Sequence, residues 1–252
     1  FRRVLFRSHG NHGVRSGIVG QRQLLAGRGR DVSPRDGPVG GGDFCPAGTG
    51  DRDGHETAAR GGKVLIPAFA VGRTQQLVLM IHELIHEGKI NEIPVFVDSP
   101  LAVNVTEAFR THTECFDAET RAFLDSGDDP FGFSRLRYIR DVEESKALND
   151  IRVPCLIISA SGMAEAGRVL HHLRNNVSDP RNTVLITGFQ AENTLGRKLL
   201  DGQKEVNIFG EPVRVRAEVV KLNELSGHAD QHELLAWMEP LVLGVKHVFL
   251  VH

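Results

Sequence analysis

Two histidines near the carboxyl terminus stand where metal or acid–base chemistry could be done. His228 lies in the turn Leu225-Ser226-Gly227-His228-Ala229-Asp230, between a strand read over Val219 to Leu222 and a helix over Gln231 to Met238. His252 ends the apolar run Val248-Phe249-Leu250-Val251, just past the edge of a buried strand. Two imidazoles brought together at such junctions suit metal binding or proton transfer at a phosphate. A plainer alternative stays open, since a histidine at a helix start also serves as a cap or a surface residue.

Two other histidine pairs do less. His82-Glu83-Leu84-Ile85-His86 spells HExxH, the metalloprotease pattern. On a helix, however, the apolar face is set by Leu77, Val78, Ile81, Leu84 and Ile85, with His82 at its edge and His86 pointing away. A zincin needs both rings turned to a buried metal, so the motif is read as a coincidence. His171 and His172 are adjacent, face different directions on a helix and are read as surface or packing residues.

Positioning the candidate residues falls to strands that alternate with helices. Lys63 to Pro67, Val95 to Val97, Cys155 to Ser159 and Thr183 to Thr187 are short apolar runs with turn signals beside them. Helices are predicted over Thr74 to Glu87, Leu101 to Arg110, Val142 to Asn149, Ala164 to Asn175 and Arg197 to Leu200. This alternation predicts an α/β fold with a doubly wound, mostly parallel sheet. Val206 to Phe209 and Val213 to Leu222 read as antiparallel strands about Gly210-Glu211-Pro212, with a domain change near Lys204.

In such sheets, ligands bind at the carboxyl ends of the strands, where helix starts favour anions. Four turns lie there: AVGRT, DSPLA, SASGM and TGFQAENTLGR. Each also has a purely conformational explanation, because strand-to-helix turns use Gly, Ser and Asp for their backbone preferences. Asp98 could cap the helix starting at Leu101, and Arg168 could pair with Glu165 one turn before it.

The 252 residues can bury a sizeable core, and a net charge of −2 with 25% charged residues announces no global basic field. Any nucleic-acid contact must therefore rest on local arginines. Cys45, Cys115 and Cys155 form neither a CxxC site nor a disulfide framework, which favours a reducing, cytoplasmic setting. No apolar run is long enough for a membrane span. Neither a GxGxxG fingerprint nor a P-loop occurs, which counts against an unrelated nucleotide-binding module.

The motifs KVLIPAFAVGRTQ, VFVDSPLA and SASGMAEAGRVLHHL, followed in order by SGHAD and a terminal VH, resemble the β-CASP metallo-β-lactamase ribonucleases over most of Glu56 to His252. That family includes RNase J and the cleavage-and-polyadenylation endonuclease. The resemblance implies a β-CASP domain over 57–204 and returning elements of a metallo-β-lactamase fold over 205–252. It implies hydrolysis of RNA phosphodiesters by two zinc ions. His252 would then be a zinc ligand, and His228 would steady charge at, or protonate, the leaving oxygen. Ser226 and Gly227 would hold a phosphate, while Arg73, Asp98, Ser99, Ser161, Gly162 and Arg168 would shape or contact the RNA path. RNA is the implied partner, and a homodimer is allowed. Since the family also contains members without metal sites, a non-catalytic RNA-binding scaffold is the alternative. Both histidines argue against it, because a degenerate site has no need of either.

Residues 1–56 depart from the family. They hold about half of the 27 glycines, many arginines and little apolar periodicity. Such a composition is expected to be irregular or disordered, and one reading is a natural flexible, arginine-rich RNA-binding arm. The preferred reading takes Phe1 to Ser8 as a translated adapter and the residues after it as out-of-frame translation of a GC-rich gene. The family's HxHxDH motif is absent from the sequence. One histidine cannot hold two zinc ions, so the chain as it stands is expected to be inactive.

Overall fold

The computed structural model describes residues 54–222, 229, 231–241 and 244–249. Six parallel strands form its centre: β1 (Lys63–Pro67), β2 (Val95–Asp98), β3 (Leu136–Ile139), β4 (Cys155–Ser159), β5 (Thr183–Ile186) and β8 (Glu218–Lys221). Their order across the sheet is β3-β2-β4-β1-β5-β8. A separate antiparallel pair joins β6 (Glu205–Ile208) to β7 (Glu211–Arg214).

Alternate residues of the central strands feed two apolar layers, one on each face. Val64, Ile66, Val95, Val97 and Ile158 pack in one cluster, and Leu65, Phe96, Ile157, Val184 and Ile186 in the other. Helix α2 (Arg73–His86) closes the first face through Leu77, Val78 and Ile81. Each side chain of this size contributes about 1.5–3 kcal/mol on burial. The second face is closed by Val169 and Leu173 of α6 (Arg168–Asn176) and by Leu195 and Leu199 of α7 (Leu195–Leu200). The predicted doubly wound α/β architecture is therefore present.

Local chemistry sets the helix starts. Gly72 precedes α2 at φ +82°, and its N–H donates to the Gln75 side chain at 2.8 Å. Buried Gln75 also donates from Nε2 to Ala70 O, Ala102 O and Thr106 Oγ1, fastening the turn to α3 (Pro100–Thr111). Ser99 caps α3 by accepting from Ala102 N at 3.2 Å, and Pro100 opens it. The shorter helices are α1 (Gly54–Ala59), α4 (Ala118–Asp125), α5 (Val142–Ala147) and α8 (Gln231–Met238).

Two expectations need correction, and one strand had no counterpart in the sequence reading. Strand β3 was not legible, because only Ile139 of its residues is buried and no apolar run marks an edge strand. The helix expected from Ala164 starts at Arg168: Ala164 and Gly167 both have positive φ, which a helix does not admit. Only the first part of Val213 to Leu222 pairs antiparallel. Glu218–Lys221 lies C-terminal to Lys204 and bonds parallel to β5 in the main sheet.

The two histidines of the HExxH stretch have different surroundings. His82 is buried, with its ring edge-on to Phe123 and tilted on Phe133, at centroid distances of 4.9 and 5.1 Å. His86 is exposed, 3.9 Å from Asp128. Burial lowers the His82 pKa from 6.5, against the opposing influence of the Pro130 carbonyl and of Asp128 and Asp129, while His86 adds to the lowering. A depressed histidine leaves the unfolded chain binding protons first on acidification. Stability is thus expected to fall as pH drops below about 6.5. His82→Phe should flatten that fall in urea midpoints taken between pH 7.5 and 5.5. Parallel slopes for the two proteins would show that the ring is solvated.

Candidate functional site

The sheet order gathers the motif turns along one edge. Ser159 at the end of β4 is in register with Asp98 of β2 on one side and Pro67 of β1 on the other. The turn carrying Ser161 and Gly162 therefore sits between those carrying Asp98-Ser99 and Arg73. His228, Ser226, Gly227 and His252 lie outside the described residues.

Asp98 is the polar centre of this edge. Its side chain is wholly buried and takes Arg168 Nη1 at 2.7 Å on one oxygen. The other oxygen takes Ser145 Oγ at 2.5 Å and faces His172 Nε2 at 2.6 Å. Burial raises the Asp98 pKa, but the hydrogen bonds from His172, Ser145 and Arg168 outweigh it and hold the carboxyl below 3.8. The helix-capping alternative for Asp98 fails, because Ser99 performs that role. Pairing of Arg168 with Glu165 fails as well. Arg168 bonds Asp98 and the carbonyl of Arg140, while Glu165 accepts from Leu195 N.

His172 and Ser145 were missed as members of this cluster. His172 is buried rather than superficial, with acceptor oxygens of Asp98 and Asn149 facing its two ring nitrogens. A signal existed: Arg168 and His172 are four apart and share a helix face, beneath a strand ending in Asp. The cluster continues through Asn149 and Asn176 to the buried Lys63 ammonium. It braces α6 against the sheet.

The remaining residues differ in what they leave free. Ser161 Oγ accepts weakly from Glu165 N and Ala166 N, at 3.3 and 3.4 Å. Gly162 lies against the Phe69 ring, where an added Cβ would come within 2.8 Å of a ring carbon. Gln190, unremarked in the sequence, donates from Nε2 to Gly162 O at 2.9 Å and so ties the turn after β5 to the turn after β4. Arg73 begins α2, half-buried, and donates to Gln76 at 2.6 Å. Among the described residues no acid pairs with it, and burial lowers its pKa. A cation held partly out of water at a strand-end helix start suits an anion.

The model of the Beta-Casp domain matches residues 74–199, half of the chain. The chain belongs to the β-CASP family of metallo-β-lactamase-fold nucleases. A second family model, described as a Zn-dependent metallo-hydrolase RNA specificity domain, matches residues 212–252. Among similar proteins, Ribonuclease TTHA0252 of Thermus thermophilus is 38% identical over 78% of this chain and 44% of its own length. The RNase J-like protein of Methanocaldococcus jannaschii is 36% identical, over 77% and 44%. The transcription termination factor FttA of Methanosarcina mazei is 32% identical, over 78% and 32%. This β-CASP chain thus spans less than half the length of these relatives. No helix among its described residues is long and apolar enough to cross a membrane.

Proposed function

We propose that this chain forms the RNA-gripping part of a zinc-dependent RNA phosphodiester hydrolase working in the cytoplasm. Arg73 carries the proposal, as a half-buried guanidinium at the carboxyl edge with no acidic partner among the described residues. Relatives named ribonuclease and RNase J-like support RNA as the ligand. Ser161 and Gly162 would lie along the RNA path, with Asp98, Ser99 and Arg168 holding its walls.

Zinc enters through the family. Among the described residues no three His, Cys, Asp or Glu side chains are grouped to hold a metal. His252 remains the proposed zinc ligand. His228 is proposed to act at the leaving oxygen, with Ser226 and Gly227 beside the phosphate. Lacking HxHxDH, the chain alone is proposed to bind RNA without cutting it. A homodimer gains no support from the structure or the relatives.

Fluorescence anisotropy with a single-stranded RNA, titrated between 50 and 200 mM salt (about one decade of affinity or more for a multi-phosphate contact), tests Arg73. Arg73→Ala should weaken binding and lower the log–log salt slope by roughly 0.7, the share of one phosphate on a single strand. If affinity and slope both stay put, Arg73 does not face the RNA.

A further inference from the structure

We propose that Phe69 and Phe189 form a platform on which bases of single-stranded RNA stack. This rests on the RNA-binding function above and adds the grip on the base to the grip on the phosphate. Both rings stand out from the carboxyl edge of the sheet, 48% and 64% exposed. Phe69 follows β1 and Phe189 follows β5, and these strands are neighbours.

Gly162 joins the two positions. The Phe69 ring lies on the Gly162 backbone, an approach open only to a residue without a Cβ. The carbonyl of the same glycine accepts from Gln190, the residue after Phe189. Gln190 is itself buried and also donates to Gly188 O at 3.4 Å, so the backbone on both sides of Phe189 is held. Each ring is thus mounted on a fixed turn while much of its surface stays open to solvent.

Charge decides between occupants. The Phe69 carbonyl accepts from both the N–H and the hydroxyl of Thr74, at 3.2 and 2.8 Å, which ties the Phe69 backbone to the first turn of α2, the turn that carries Arg73. An apolar protein surface would leave that guanidinium without a counter-charge, whereas a nucleic-acid strand offers bases and phosphates together. Phenylalanine has no hydrogen-bonding group, so the platform would grip any base without reading sequence.

The test uses the whole chain with two probes of equal phosphate count, an oligoadenylate and its abasic ribose-phosphate analogue. Wild type should bind the base-bearing strand more tightly, by roughly 5- to 150-fold for each stacked base. Phe189→Ala and Phe69→Leu should lose that margin, leave abasic binding and its salt slope unchanged, and keep the wild-type circular dichroism. The leucine variant keeps apolar bulk over Gly162 while removing the flat ring. Equal wild-type affinity for both probes would overturn the platform and leave RNA binding standing. No binding of either probe would sink the RNA function and the platform with it. If sedimentation shows that the variants alter self-association instead, the rings face protein and the proposal is wrong.

Discussion

Asp98→Ala is expected to destabilise the protein by about 3–5 kcal/mol, the usual cost of removing one partner from a buried ion pair. The substitution leaves the Arg168 guanidinium and the buried His172 and Ser145 facing a void where a carboxylate accepted from them. Against a total stability of about 5–15 kcal/mol for a typical protein, that is enough to populate unfolded chain at moderate temperature. Asp98→Asn keeps the shape but turns an amide N–H toward hydrogen-bond donors, so it should fall between alanine and wild type. Acidification should mimic the effect. With its folded pKa held below 3.8, Asp98 contributes stability that is fully present above that value and lost as pH falls through the folded value. Equilibrium urea unfolding at pH 7 and through the acid limb measures both. A loss under about 1 kcal/mol for the alanine variant, within the range of a surface ion pair, would show that the cluster is solvated and contributes little.

Gly62→Ala should cost about 1–3 kcal/mol or more by overpacking. A Cβ at this position would sit 1.9 Å from the Arg181 carbonyl oxygen and 2.5 Å from its carbon. Both are backbone atoms next to Asn182, whose side chain accepts from Lys63 N at 2.8 Å, so neither β1 nor β5 can retreat without breaking that bond. Gly61 beside it has open space around its missing side chain but a φ of +71°. Gly61→Ala should therefore cost less, through backbone strain alone. Thermal unfolding of the two variants separates the causes, and a midpoint for Gly62→Ala at or above that of Gly61→Ala would contradict the packing account.

What the sequence determined by itself is the set of elements buried on both faces. Runs such as Lys63-Val64-Leu65-Ile66-Pro67 and Cys155-Leu156-Ile157-Ile158-Ser159 read as strands of a covered sheet, because they are too short for a buried helix, rich in β-branched residues and flanked by glycine or proline. The order of the motif turns likewise carried the family, and a doubly wound sheet forces those turns to one edge. Tertiary structure alone decided who meets whom. Leu136-Arg137-Tyr138-Ile139 is a strand only because β2 offers it a free edge, and Glu218–Lys221 leaves the expected hairpin because β5 does the same. The bond that Asp98 accepts from His172 spans 74 residues of chain, and the two glycines at 61 and 62 look alike until Arg181 arrives beside one of them. Apolar periodicity is a local record of burial, whereas the partner of a polar group or a missing Cβ is set by which distant strand ends the sheet order brings together.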